Sequence, residues 1–300
     1  MKIYDVVILT DNRYTNPQHI DDYIQNVLDE DGIVKTALEK LGLRVLRLSW
    51  DDPNFDWSTT KSVLFRSTWD YFDRFTEFSQ WLNRVSQQTQ LLNSEAIIRW
   101  NLDKHYLIDL AKKGVTICDT IFIEQGETKS LQELAIANNL TDFVIKPCVS
   151  GAARETYHIQ IEHVDAHEAN FQKLIRQEAM MLQPFQHSVP VKGEVSYMVM
   201  NGKFTHSILK KAKPGDFRVQ DDFGGTVHDY QPSKAEIEFA EFTASCCPEP
   251  PIYARVDAFT DNNGNLALAE LELVEPELWF RFNTASADEL ARGIQQRITS

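Results

Sequence analysis

The sequence holds four cysteines in 300 residues, and none of Cys118, Cys148, Cys246 and Cys247 lies in a Cys-x-x-Cys spacing or beside a paired-histidine motif. Structural zinc and a disulfide framework are therefore not expected, and Cys148 reads as a small buried residue. No apolar run reaches the roughly 18 residues that a membrane-spanning helix needs. Positive charge is scarce: 30 lysines and arginines face 44 acids, for a formal net charge of −14. A field of that sign repels nucleic acid and anionic membranes, so neither is expected as a main partner. Repeats, low-complexity tracts and Pro-rich linkers are absent, which leaves domain edges soft. The opening Met1-Lys2-Ile3-Tyr4-Asp5-Val6-Val7-Ile8-Leu9 is too short and too acidic for a signal peptide. It reads as a first strand, and a cytoplasmic setting is the default expectation.

What is present is ordinary in bulk, with 43% hydrophobic and 25% charged residues, as in soluble globular chains. The length suffices for two domains or one elaborate one. Over residues 1–95, strand-like and helix-like stretches alternate. Residues 5–9, 45–48 and 62–65 read as strands, and 24–41 has helical spacing interrupted near Gly32. Helical spacing over 76–85 puts Phe78, Trp81, Leu82 and Val85 on one face. Such alternation predicts a small parallel α/β layer. Arg66-Ser67-Thr68-Trp69-Asp70-Tyr71 follows the third strand, where open α/β sheets collect ligands. It reads either as a substrate-binding segment or as a solvated loop anchored by Trp69. Beyond it come a helix at 103–113, a strand at 143–146, a long helix at 167–180 and a strand-rich remainder with two Asn-Gly turns.

The second Asn-Gly pair sits between two strand-like runs, 253–259 and 266–274, a strong hairpin signal. If Asn263-Gly264 form a two-residue turn, Asp257 faces Glu270 and Arg255 faces Glu272. Alternation puts these four on one face, with Ala254, Val256, Ala258, Ala269, Leu271 and Leu273 on the other. Like charges about 4 Å apart repel by roughly 1 to 4 kcal/mol per pair, and one arginine cannot offset three carboxylates in a partly buried site. Either an acid is protonated, or a divalent cation completes the set, or the face is simply a solvated one. The apolar flanks and the further Glu275-Pro276-Glu277 favour the metal, and hard oxygen donors without cysteine or histidine fit Mg²⁺ or Mn²⁺.

Three weaker signals precede the hairpin. Lys104 stands in the first turn of the 103–113 helix, where the dipole disfavours a cation unless an anion is held nearby; an exposed lysine is the plainer reading. Lys146 ends an apolar strand and is followed by the small-residue loop Pro147-Cys148-Val149-Ser150-Gly151-Ala152-Ala153-Arg154, whose N–H groups could approach phosphate. It is no P-loop, because Gly-x-x-x-x-Gly-Lys-Ser/Thr is missing. Met180-Met181-Leu182-Gln183-Pro184-Phe185 is an apolar strand broken by proline, suited to core or to a hinge under a flat ring. Glu194 and a hairpin around Asn201-Gly202, ending at Lys210-Lys211, follow in order.

Taken in order, these pieces resemble the ATP-grasp superfamily, which includes D-alanine–D-alanine ligase and glutathione synthetase. The resemblance spans roughly residues 96–285, with the leading α/β layer matching the family's usual first domain. The Arg66–Tyr71 string and Glu270-Leu271-Glu272 with Glu275-Pro276 look closest to the branch of the cyclo-ligase of D-cycloserine biosynthesis. The resemblance implies an ATP-grasp fold of α/β (α+β) class: an N-terminal substrate-side layer at 1–95 and two α+β subdomains, 96–182 and 183–300, that grip the nucleotide. It further implies that Lys104 and Lys146 contact the ATP phosphates, with Ser150, Gly151 and Arg154 in a loop that closes over them. Gln183, Pro184 and Phe185 would hold the adenine and Glu194 the ribose. Asp257, Glu270 and Glu272 match the metal positions for Mg²⁺ or Mn²⁺, the last being commonly Asn in the family. Arg255, with Lys146, would act in catalysis by stabilising charge on the acyl phosphate. The expected activity is ATP-dependent joining of a small-molecule carboxylate to an amine, with ADP and phosphate released. A homodimer is the family's habit. The alternatives are a phosphotransferase on the same scaffold and a nucleotide-binding protein without catalysis. Substrate choice is expected from the first layer and residues 218–222.

Overall fold

The computed structural model describes residues 2–151, 153–219 and 224–299. Ala152 of the small-residue loop and residues 220–222 of the segment expected to choose substrates lie outside them.

The first layer is a parallel sheet of β1 (Tyr4–Thr10), β2 (Val45–Ser49), β3 (Thr60–Ser67) and β4 (Gln90–Leu92), in the order β2-β1-β3-β4. Helices α1 (Asp22–Lys40) and α2 (Phe75–Val85) pack against it. α1 starts where Asp21 accepts the Ile24 N–H at 2.8 Å and, contrary to expectation, runs unbroken through Gly32. A helical glycine costs only about 1 kcal/mol, and the buried Val34, Ala37 and Leu38 one turn on outweigh it. α2 buries Phe78, Trp81, Leu82 and Val85, as the spacing predicts.

The chain continues through α3 (Glu95–Asn101) and α4 (Tyr106–Lys112) into a second sheet. The helix expected at 103–113 begins only at Tyr106, because Asp103 captures the His105 N–H and ring, and the Lys104 N–H is bonded to Cys148 O. Lys104 thus precedes the helix, and the dipole reasoning does not apply to it. The second sheet is antiparallel, in the order β5-β8-β6-β7, from β5 (Ile121–Ile123), β6 (Asp142–Pro147), β7 (Tyr157–Gln160) and β8 (Met180–Pro184). Two helices, α5 (Leu131–Ala137) and α6 (Asp165–Ile175), cover it. α6 is shorter than the expected 167–180: Met180, Met181 and Leu182 are fully buried in the ladder of β8, which pairs on both edges.

After α7 (Val189–Lys192) comes a third sheet, also antiparallel, in the order β11-β10-β9-β12-β13. Its members are β9 (Glu194–Met200), β10 (Lys203–Lys211), β11 (Thr226–Asp229), β12 (Tyr253–Thr260) and β13 (Leu266–Glu272), with α8 (Lys234–Ser245) packed on one face. The closing helix α9 (Ala285–Thr299) returns to α1, so Leu290 and Ile294 share a core with Val34, Leu38, Met198 and Tyr253. First layer and third sheet are thereby one packed body. Among the described residues no helix is long and apolar enough to cross a membrane.

Asn201-Gly202 forms the expected two-residue turn, both residues at positive φ, with Met200 opposite Lys203. Asn263-Gly264 does not. Thr260 pairs with Leu266, so residues 261–265 form a longer loop, in which the Asp261 carboxylate accepts the N–H groups of Asn263 and Asn265. A bulge at Ala269 then shifts the register back, and Asp257 faces Glu270 and Arg255 faces Glu272 as expected.

Candidate active site

A cleft of about 420 Å³ opens where the three sheets meet. Its floor is the β12–β13 hairpin. Val256, Ala258, Leu268, Leu271 and Leu273 turn into the core beneath, while Arg255, Asp257, Glu270 and Glu272 turn into the cleft. The bulge moves Ala269 off the core face and onto the cleft side, against Cys118 and Phe259. The outer edge of β13 is held by side chains: Tyr106 Oη accepts the Leu271 N–H at 2.9 Å, and the Asn101 amide bonds Leu271 O and Leu273 N. Two glutamates are thereby fixed on an edge strand that would otherwise fray.

The charge deficit inferred from the hairpin alone is corrected by lysines from elsewhere. Arg255 binds both Asp257 oxygens and also Glu272. Lys210 Nζ, from β10, lies 2.9 Å from Asp257 Oδ2 and 2.5 Å from Glu194 Oε1. Lys104 Nζ lies 2.9 Å from Glu270 Oε1 and donates to Ser150 O at 2.7 Å. Burial works to raise the Asp257 carboxyl, but Arg255 and Lys210 outweigh it and hold the group well below the usual range. Burial likewise opposes ionisation of Glu270, and Lys104 with Lys146 prevails there too. Glu272 goes the other way: burial, helped by the charges of Asp257 and Glu270, outweighs Arg255 and pushes it up to about 7. Lys210 was no sequence-level candidate. Its signal was the end of a strand opposite Glu194, legible only with the pairing known.

Lys146 differs from the other three cations. It is half-buried, lines the cleft, and its ammonium has neither a hydrogen bond nor an ion pair among the described residues. Burial depresses its pKa, Glu270 pulls it back up, and the neighbouring Lys104 depresses it further. Ser150 and Gly151 line the cleft, Gly151 against the Phe72 ring. Arg154 does not line it: its guanidinium is paired with Glu178 and bonded to Val149 O.

Gln183, Pro184 and Phe185 line the far end. Gln183 donates to Thr120 Oγ1 at 2.9 Å, and Phe185 stacks on His158 with ring centroids 3.8 Å apart. A flat ring entering here meets an aromatic pair already formed, with Phe217 at its edge. Glu194 is present but engaged by Lys210, and burial raises its pKa.

At the opposite end the first layer contributes Tyr14, Tyr23, Trp69 and Tyr71. The Arg66–Tyr71 string is not a solvated loop. Arg66 is buried on Glu30 at 2.9 Å, Tyr71 is buried, and Trp69 Nε1 donates to Glu275 O at 2.9 Å. Glu30 in turn accepts the Leu278 and Phe280 N–H groups, fixing the segment whose Trp279 lies under Arg255, 5.0 Å from its ring.

For a metal, Glu270 and Glu272 expose about a third of their side chains to the cleft, 32% and 29%, whereas Asp257 exposes 3% and is bonded at both oxygens. Among the described residues, the three-ligand group with all atoms within 4.8 Å is instead Asp103, His105 and Cys148. That group sits just before α4, and burial keeps the Cys148 thiol protonated by pushing it up to about 12.

Residues 6–93 match the family model described as the N-terminal domain of D-cycloserine synthetase DcsG. The chain is 29% identical to the cycloserine biosynthesis protein DcsG of Streptomyces lavendulae, over 87% of this chain and 91% of that one. The crystal structure of D-cycloserine synthetase DcsG superposes with a TM-score of 0.84 at 25% identity, covering 98% of this chain and 99% of that one. More distantly, the ATP-grasp ligase PsnB complexed with a phosphomimetic variant of its minimal precursor, Mg and ADP gives 0.64 at 13% identity, over the whole of both chains. The ATP complex of D-alanine–D-alanine ligase from Bacillus anthracis gives 0.63 at 13% identity, covering 99% and 97%. With the parallel first layer, the two antiparallel sheets and the cleft between them, the chain has the ATP-grasp fold.

Proposed function

We propose that this chain is an ATP-dependent carboxylate–amine ligase acting on small molecules through an acyl phosphate. The observation that carries the reading is Lys146: a half-buried ammonium with no partner, facing a cleft whose other cations are all engaged. Such a group calls for an anion, and the phosphates of ATP supply one. Lys104, already bonded to the loop carbonyl of Ser150, ties that loop to the same place.

In the proposed reaction an oxygen of the substrate carboxylate attacks the γ-phosphorus of ATP, and the bond to the β-bridging oxygen breaks to leave ADP. The amine nitrogen then attacks the acyl carbon, phosphate departs, and the nitrogen loses a proton. Lys104 and Lys146 neutralise phosphate charge, and Arg255, held rigidly by Asp257 and Glu272, stands beside the charge that develops on the acyl group. Positioning does most of the work. Glu270 and Glu272 would hold a Mg²⁺ or Mn²⁺ ion, since they offer exposed hard oxygens, with Asp257 behind them. When bound, the ion supplies charge neutralisation at the phosphate oxygens. The Phe185–His158 stack with Gln183 and Pro184 would receive the adenine.

The test is ADP formation with Mg²⁺ over a panel of amino acids and amines, wild type against Glu270→Gln. The expected outcome is turnover that requires one carboxylate and one amine and falls at least 100-fold in the variant, roughly the loss of one strong electrostatic contact in a transition state. A phosphorylated product formed without an amine would establish a phosphotransferase instead. Equal rates in both proteins would remove Glu270 from the site.

A further inference from the structure

The half-buried carboxylates of the cleft are matched to cations with one exception. Glu270 meets Lys104, Asp257 and Glu272 meet Arg255, Glu194 meets Lys210, and Glu277 meets Arg281; Asp73 is exposed. Glu275 has no cation within ion-pair distance among the described residues. Its carboxyl is hydrogen-bonded by the Tyr71 hydroxyl, and its backbone is fixed on both sides. Trp69 Nε1 donates to its carbonyl at 2.9 Å, and Tyr253 Oη donates to Val274 O at 2.6 Å. The carboxyl is therefore held in place with no cation beside it. Trp69, bonded to the Glu275 carbonyl, packs with Tyr14 and Tyr23, whose rings lie 5.7 and 6.3 Å from it, and all three line the cleft. Trp279, whose buried indole N–H has no acceptor among the described residues, lines the same cleft.

A single unmatched carboxylate in a cleft lined by aromatic side chains suits an organic cation. A phosphate or carboxylate would be repelled, and a bare divalent ion takes several oxygens rather than one. We propose that Glu275, positioned by Tyr71, binds the arriving ammonium of the amine substrate and takes one proton from it, so that the nitrogen attacks the acyl carbon as the neutral amine, and so sets a preference for ammonium-bearing acceptors. This inference rests on the ligase reading above. Burial, with the charge of Glu272 nearby, pushes the Glu275 carboxyl up to about 8, a state that pairing with an ammonium reverses.

The test compares wild type with Glu275→Gln on two kinds of acceptor, in the presence of ATP, Mg²⁺ and a panel of amino-acid carboxylate donors. L- and D-amino acids carry an ammonium; hydroxylamine is mainly uncharged near neutral pH and traps acyl phosphates as hydroxamates. The ratio of kcat/KM for ammonium acceptors to that for hydroxylamine is expected to fall about 30-fold, as for loss of one charged hydrogen bond. Tyr71→Phe, which keeps the ring, should lower the ratio in the same direction by less. A ratio within about two-fold of wild type overturns the proposal. So does an unchanged ratio with a higher Mg²⁺ requirement, which would make Glu275 a metal ligand. Should Glu275→Gln fail to fold, Tyr71→Phe decides, an unchanged ratio again overturning the assignment. If wild type yields hydroxamate but treats both acceptors as the variant does, only the anchor fails. If it yields neither product, the ligase reading falls and takes the anchor with it.

Discussion

Lys210 answers two buried carboxylates at once, and its removal tests how the floor of the cleft is balanced. Its ammonium lies within 2.9 Å of both Glu194 and Asp257 and 5.9 Å from the Trp279 ring, and the side chain is 5% exposed. Burial alone would discharge it, but the two acids hold its pKa above the ordinary lysine value. In Lys210→Met, Asp257 keeps Arg255, while Glu194 is left without a partner. Breaking a buried pair from one side costs about 3–5 kcal/mol, and the surviving arginine puts the expected loss near the lower figure. Thermal denaturation without nucleotide should show a clear drop in Tm, partly recovered by adding Glu194→Gln, which removes the orphaned charge. A Tm equal to wild type would mean that water, rather than Lys210, compensates these acids.

At the scale of elements, two extra residues in strands decide who meets whom, and they mark the limit of what the sequence could say. Counting outward from Asn201-Gly202 puts Glu194 opposite Leu209; the bulge at Thr205 moves it to Lys210. Counting outward from Asn263-Gly264 puts Asp257 opposite Glu270, which is the observed pairing, but for another reason. The longer loop slips the register by one residue, and the bulge at Ala269 slips it back. Periodicity thus revealed the strands, the helix faces and the acids of the floor, whereas bulges, which carry no composition signal as short as one residue, decided the partners. For the same reason the hairpin read alone lacked cations, since Lys104 lies 166 residues from Glu270 and Lys210 lies 47 residues from Asp257 along the chain, and their approach is tertiary. One junction is exposed to a single change. Gly193, between α7 and β9, has φ of +89°, and an added Cβ would stand 2.3 Å from Lys210 O. Gly193→Ala must move the start of β9, and with it Glu194, away from Lys210. Strained backbone and lost pairing together predict a loss of about 3 kcal/mol or more, read as a lower Tm. Faster hydrogen exchange at the paired ends of β9 and β10 should accompany it. An alanine variant as stable as wild type would mean that β9 can enter the sheet by another path.

Over the whole molecule, burial of acid is the recurring theme of a chain with 14 excess negative charges. Glu30 joins the first layer to the third sheet by accepting from Arg66, Leu278 N and Phe280 N, and burial pushes its carboxyl up to about 7. Glu275 is pushed to about 8 by burial and by Glu272. These, and Glu272 at about 7, titrate above the ordinary glutamate value of 4.5, so the folded chain binds protons that the unfolded chain has already released. Their contribution to stability is complete below pH 4.5 and is lost as the pH rises through 7 and then 8. His206, lowered chiefly by burial, acts in the opposite sense near its ordinary 6.5, while His105, raised by Asp103 and Glu124 against burial, acts in the same sense as the glutamates. Self-repulsion of the net charge adds to the fall and, unlike the buried terms, is screened by salt. The nucleotide-free protein without divalent ions is therefore expected to melt at progressively lower temperature from about pH 5 to above pH 8. Most of that slope should survive in high salt, and Glu30→Gln should flatten its lower part and Glu275→Gln its upper part. A Tm that rises across this range would mean that both acids are ionised in the folded chain, and that cations reach them which the cleft geometry does not supply.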